Sequence, residues 1–142
     1  MIKIELLTED NFNENSLDNY VRTQKVKKVY RKQGEEYALV EMPYIEDWTL
    51  EKKRAVAKDI ASKDYISYIA LDDNKVVGFI GLKKQLVGDY MILDMMHTSA
   101  EYRGKGLGRK LFELGKGAAV TKNTIKEMEE DEPCDLQMIC KV

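Results

Sequence analysis

Residues 65–82 constrain the fold most. "YISYIAL" and "KVVGFIGL" are strongly apolar runs joined by the turn-forming "DDNK", a pattern that predicts an antiparallel hairpin. A "VGD" turn then leads into "YMILDMM", apolar enough for a central strand. Three such runs in succession commit the chain to a sheet.

The remaining segments arrange themselves around that sheet. "IKIELL" reads as a first strand, and "SLDNYV" as a short helix with Ser16 as N-cap. "KVKKVYRK", Gln33-Gly34 and "EEYALVEM" form a second hairpin, with Val26, Lys28 and Tyr30 on one face and Lys27, Val29 and Arg31 on the other. "TLEKKRAVAKDIASKD" is helical, with Leu50, Arg54, Ala57 and Ile60 in register and Glu51 in the first turn. "GRKLFELGKG" is a second helix, carrying Leu107, Leu111 and Leu114 on one stripe. "TKNTIKEMEEDE" reads as a polar helix ended by Pro133, and "CDLQMICKV" as a closing strand. The order predicts a mixed α/β (α+β) fold with a largely antiparallel sheet, in one domain spanning residues 1–142.

Composition excludes several classes. Charged residues make up 34% of 142, yet the net charge is only −2, which argues against bulk nucleic-acid binding. The five basic residues of "KVKKVYRK" split across two strand faces beside Glu35 and Glu36, so a solvated strand face fits them better than a phosphate-binding one. No run is long and apolar enough to span a bilayer, and "MIKIELLTED" is too acidic for a targeting peptide. A soluble, cytoplasmic protein is expected. Cys134 and Cys140, six residues apart on a strand, would sit about 20 Å from each other, beyond disulfide reach. With His97 the only histidine, a Cys/His metal site lacks ligands, and none is expected.

The stretch "EYRGKGLGRKLFE" carries the chemistry. It is not a P-loop, and Gly104, Gly106 and Gly108 give G-x-G-x-G rather than the dinucleotide G-x-G-x-x-G. What remains is a strand, a glycine loop and a helix N-terminus. Glycines let backbone N–H groups turn toward one point, and the helix start adds a positive field. Arg103, Lys105 and Arg109 add formal charge. Such a loop can cradle a pyrophosphate-like anion or can simply make a turn.

Here the chain resembles a known family. Arg103-Gly104-Lys105-Gly106-Leu107-Gly108 matches the R/Q-x-x-G-x-G/A motif of the GNAT N-acetyltransferases. "LDMMHTS" and "RKLFEL" resemble that family's central strand and third helix, and the first hairpin resembles its second and third strands. The resemblance implies acetyl transfer from acetyl-CoA to a primary amine of a small molecule or protein. It implies that the N–H groups of residues 104–108 hold the pyrophosphate, and that the strand end at Met96, His97 and Thr98 pairs with the pantetheine arm. The implied chemistry needs a proton acceptor. Asp94 and His97 lie on that strand, with opposite parity and thus on opposite faces of the sheet. His97 starts from a near-neutral pKa, as a base requires; the alternative readings are a packed, hydrogen-bonded histidine and a structural carboxylate at Asp94. Glu46, Asp47 and Trp48 could receive a cationic amine. Alternatively, Asp47 or Thr49 caps the next helix and Trp48 packs inward.

The chain also departs from the family pattern. The strand-helix unit expected after the third helix, with its tyrosine, is missing near residues 115–120, since no tyrosine follows Tyr102. A shortened natural form, a homodimer in which a second subunit supplies the strand, and an absent segment all explain this. The functional alternative to an enzyme is a non-catalytic acyl-CoA binding or sensing domain.

Overall fold

The computed structural model describes residues 1–87 and 90–118. Its elements are β1 (Ile2–Leu6), β2 (Gln24–Gln33), β3 (Glu36–Glu46), α1 (Leu50–Ala61), β4 (Tyr65–Asp72), β5 (Lys75–Val87), β6 (Tyr90–Thr98) and α2 (Leu107–Ala118). A single 3-10 turn at Ala100–Tyr102 precedes α2. The expected polar helix, the closing strand with Cys134 and Cys140, and the stretch where a further strand-helix unit was sought beyond Ala118 lie outside the described residues.

The main sheet has the order β1-β4-β5-β6, with every neighbouring pair antiparallel. Asp73 and Asn74 make the β4–β5 turn with φ of 47° and 67°. Two consecutive positive φ angles match the strand twist in a two-residue hairpin, and Asp and Asn tolerate them better than most residues. β6, read from sequence as central, is an edge strand among the described residues.

One helix covers each face. α1 begins at Thr49, whose hydroxyl accepts from the Lys52 N–H at 3.1 Å. It buries Val56, Ala57 and Ile60 against Phe12, Leu17, Tyr20, Ile69 and Phe79. Ala57 and Ile60 of the predicted stripe are buried and Val56 joins them, while Leu50 is left half exposed and Arg54 faces outward. α2 buries Leu107 and Leu111 against Ala70, Val77 and Ile80, each leucine contributing about 1.5–3 kcal/mol. Leu114 lies on the rim of that stripe. Gly115 permits the close approach, since a Cβ there would stand 2.7 Å from Ile80 Cδ1.

Residues 16–21, predicted as a short helix, belong instead to a run of turns over residues 14–19 and the chain that follows. The Ser16 hydroxyl accepts from Asn13 N–H upstream at 2.9 Å rather than capping forward, and Asn13 Oδ1 takes the Asn15 N–H at 2.8 Å. Short polar side chains compete here with helical hydrogen bonds. The turns still drive Leu17 and Tyr20 into the core.

The β2–β3 hairpin is a separate two-stranded sheet. Gly34 turns it with φ of 67°, and a register shift falls between Val26 and Lys28. Val26 and Val29, three residues apart, are the only partly covered side chains of β2.

Candidate functional site

The glycine loop adopts the conformation its sequence requires. Gly104 and Gly106 have φ of 75° and 83°, and a Cβ at either would meet nothing within 4 Å. The loop is therefore open on its outer side and bent for backbone reasons. Lys110 N–H donates to Gly106 O at 3.2 Å as the first turn of α2 closes. The amides ahead of it, from Gly106 to Arg109, have no partner within α2. They form the positive end of the helix dipole. Lys105 and Arg109 are exposed beside them, with Lys105 Nζ 5.8 Å from the centre of the Tyr102 ring.

Arg103 has a different task. Its guanidinium donates to the carbonyls of Thr98 (3.2 Å), Thr23 (2.7 Å) and Arg22 (3.3 Å). It thus ties the end of β6 to the segment that enters β2. Buried Ser99 reinforces this seam: its hydroxyl accepts from Val21 N–H at 3.4 Å, while Ala100 N–H donates to Val21 O at 3.0 Å.

Along this seam opens a cavity of about 230 Å³ lined by Arg22, Gln24, Met96, His97, Thr98 and Arg103. Four of its six residues were singled out from sequence. Arg22 is 9% exposed, its Nη1 donates to Gln24 Oε1 at 3.1 Å, and its guanidinium lies over Trp48 with Cζ 5.3 Å from the ring centre. His97 packs edge-on against Trp48 (4.8 Å between ring centres) and against Phe79 (5.4 Å). Burial, and then the charges of Arg22 and Arg103, push the His97 pKa down to about 4. The imidazole is neutral near pH 7 and a weak proton acceptor.

Asp94 sits apart from this cluster. Gly81 pairs with Met95 but Leu82 with Leu93, so Asp94 is the extra residue of a β-bulge, a device that re-aims side chains. Its carboxylate accepts from Tyr65 O–H at 2.7 Å and stands 3.7 Å from Lys83 Nζ. Lys83 shares the α1 side of β5 with Phe79 and Gly81, the partners of His97 and Met95. The bulge thus overturns the expectation from simple alternation that Asp94 and His97 face opposite sides. Tyr65 is in turn held protonated, its pKa pushed up to about 12 by desolvation and the Asp94 carboxylate.

The "EDW" cluster divides. Trp48 packs inward between Tyr20, Phe79 and His97. Glu46 lies 3.8 Å from Arg22 Nη2. Asp47 is exposed and accepts its neighbour's Trp48 N–H at 2.8 Å. Thr49, not Asp47, caps α1. Arg22, Gln24, Tyr65 and Lys83 were not identified from sequence. They carry no motif and meet the site only through long-range pairing. Among the described residues no cluster of His, Cys, Asp and Glu suits a metal, and no helix is long and apolar enough to cross a membrane.

Comparison with known proteins gives this geometry a context. The family description "Acetyltransferase (GNAT) family" matches residues 25–134. The solved structure of a protein described as a streptothricin acetyltransferase from Bacillus anthracis str. Ames, in complex with acetyl coenzyme A, is 26% identical with a TM-score of 0.60, covering 84% of this chain and 68% of that one. Nourseothricin acetyltransferase is 14% identical with a TM-score of 0.62, covering 82% of this chain and 65% of that one. This chain thus spans about two thirds of the length of each. No curated protein matches it.

Proposed function

Since this chain belongs to the GNAT acetyltransferase family, we propose that it moves an acetyl group from acetyl-CoA to a primary amine by direct attack. The observation that carries this reading is the loop of Gly104–Gly108, whose positive φ angles and open outer side suit a pyrophosphate. Bound acetyl-CoA supplies the activated thioester. Residues 104–109 hold its phosphates with backbone N–H groups, helped by Lys105 and Arg109. Backbone donors at Met96 and Thr98 orient the pantetheine arm and polarise the carbonyl, while His97 between them pairs inward with Phe79. Arg103 acts indirectly, by fixing the strand end against residues 22–23.

For the proton we assign Asp94 ahead of His97. The bulge presents the Asp94 carboxylate, and Tyr65 O–H fixes its direction. His97, with its pKa near 4, forms the wall of the acceptor side with Trp48. Glu46 lies at the same wall, and Asp47 outside it. Asp94→Asn is expected to lower kcat by about a hundredfold with unchanged acetyl-CoA binding. An unchanged kcat in Asp94→Asn, with loss in His97→Gln, would move the role to His97.

The acceptor is a small molecule rather than a protein, in line with the streptothricin named for the Bacillus protein. We place the protein in the cytoplasm as one domain over residues 1–142. A homodimer is the assembly this reading admits. A binder without turnover differs only in the absence of CoA release across an amine panel, and no feature of the site favours it.

A further inference from the structure

The cavity beside β6 gathers two guanidinium groups. Arg22 and Arg103 both line it. Arg103 spends its donors on three carbonyls, which satisfy hydrogen bonds without cancelling charge. The only carboxylate paired with either guanidinium among the described residues is Glu46, at 3.8 Å from Arg22 Nη2, with its side chain 42% exposed. Such a pair is long and screened by solvent.

Arg22 itself is incompletely satisfied. Its Nη1 is held by Gln24, but its Nε–H is buried with no acceptor. A buried charge without a close partner is costly, yet the fold keeps this one on an indole face at the mouth of a cavity. A ligand would meet the guanidinium through its Nη groups, since Nε is closed off. The planar fork suits a carboxylate or a phosphate, each of which it can meet with two parallel hydrogen bonds. His97, the other titratable lining group, is neutral and offers no opposing charge.

We infer that this cavity binds a carboxylate borne by the acceptor, through Arg22 with Gln24 and Trp48 fixing its plane. The acceptor class is then a primary amine that also carries a carboxylate. This rests on the acetyl-transfer reading. Asp94 lies three residues before His97 on β6, at the bulge, and so less than about 10 Å away along the strand. An amine at Asp94 and a carboxylate at Arg22 would thus be separated by several carbons, as in an ω-amino acid. A phosphate of the cofactor is the other source of such an anion, and it already has its own donors at Gly104–Arg109.

Trp48 is the only tryptophan, so its fluorescence reports on the cavity directly. The full chain is titrated with ε-aminocaproate and with its uncharged amide, with and without CoA, and acetyl-CoA binding is followed separately by calorimetry. The acid is expected to change the fluorescence saturably and to bind about tenfold tighter than the amide. Arg22→Gln should bring the acid to the amide's level while leaving the acetyl-CoA dissociation constant within about twofold of its starting value. If Arg22→Gln does not fold, Arg22→Lys, which keeps the charge but loses the fork, should reduce the preference in part. Equal binding of acid and amide, no saturable binding of either, a preference undiminished by substitution at Arg22, or displacement of the acid by acetyl-CoA would each overturn the inference. Failure of acetyl-CoA to bind would count against the acetyl-transfer reading instead, and the comparison of acid with amide would still decide for the cavity.

Discussion

The glycine loop and the cavity beside His97 both gather positive charge, and they do so by opposite means. In the loop the field comes from backbone amides of consecutive residues, in water, with Lys105 and Arg109 exposed around them. In the cavity it comes from one guanidinium buried over Trp48 and another locked to carbonyls. The loop suits an anion that arrives and leaves with its solvent shell partly intact. The cavity suits a single planar group read at close quarters. Arg103 joins the two: it is adjacent to the loop in sequence but bonded to the cavity's wall.

That contrast can be broken at either end. The largest effect is expected from Gly106→Val, because a β-branched residue at φ of 83° is strained by about 1–3 kcal/mol and its side chain would crowd the amides. Acetyl-CoA affinity should fall well over tenfold by calorimetry, with far UV circular dichroism unchanged. Arg103→Ala should act on the other side of the comparison. Losing donors to three carbonyls costs about 1–3 kcal/mol of stability, read as a lower urea midpoint, and should raise the acceptor KM more than the acetyl-CoA KM. A reversed KM pattern would place Arg103 in the cradle after all.

The smallest effect concerns pH. The His97 pKa lies near 4 in the folded chain against an ordinary 6.5. Above pH 6.5 the ring is neutral in both folded and unfolded states, and its contribution to stability is constant. As pH falls toward 4 the unfolded chain takes up a proton that the folded one refuses, so stability declines through that window. Urea midpoints measured across it should fall for the parent protein and fall less for His97→Gln. As the only histidine, His97 can also be titrated without ambiguity by nuclear magnetic resonance.

What sequence could reveal follows the same division. The β4–β5 hairpin, both helices and the Gly104–Gly108 loop are written in contiguous residues whose turn chemistry and periodicity act locally, and family membership followed from that loop and its flanks. The cavity is written in residues 22, 24, 96–98 and 103, brought together by pairing and by carbonyl contacts that no local pattern encodes. The bulge at Asp94 escaped for a related reason: simple alternation assumes an unbroken ladder, and one extra residue re-aims the carboxylate. Residues 16–21 have the cap of a helix, but the Ser16 and Asn13 side chains satisfy the backbone in turns. His97 carries the ordinary pKa of a base in sequence and loses it only through burial beside two arginines.

The most direct test of two separate charged sites is the acetyl-CoA dissociation constant of the parent protein, Gly106→Val and Arg22→Gln, measured side by side by calorimetry. Cradle and cavity being distinct, Gly106→Val should lose affinity by more than about tenfold and Arg22→Gln should stay within about twofold. Equal losses in both, or a loss confined to Arg22→Gln, would contradict the assignment of the glycine loop to the cofactor.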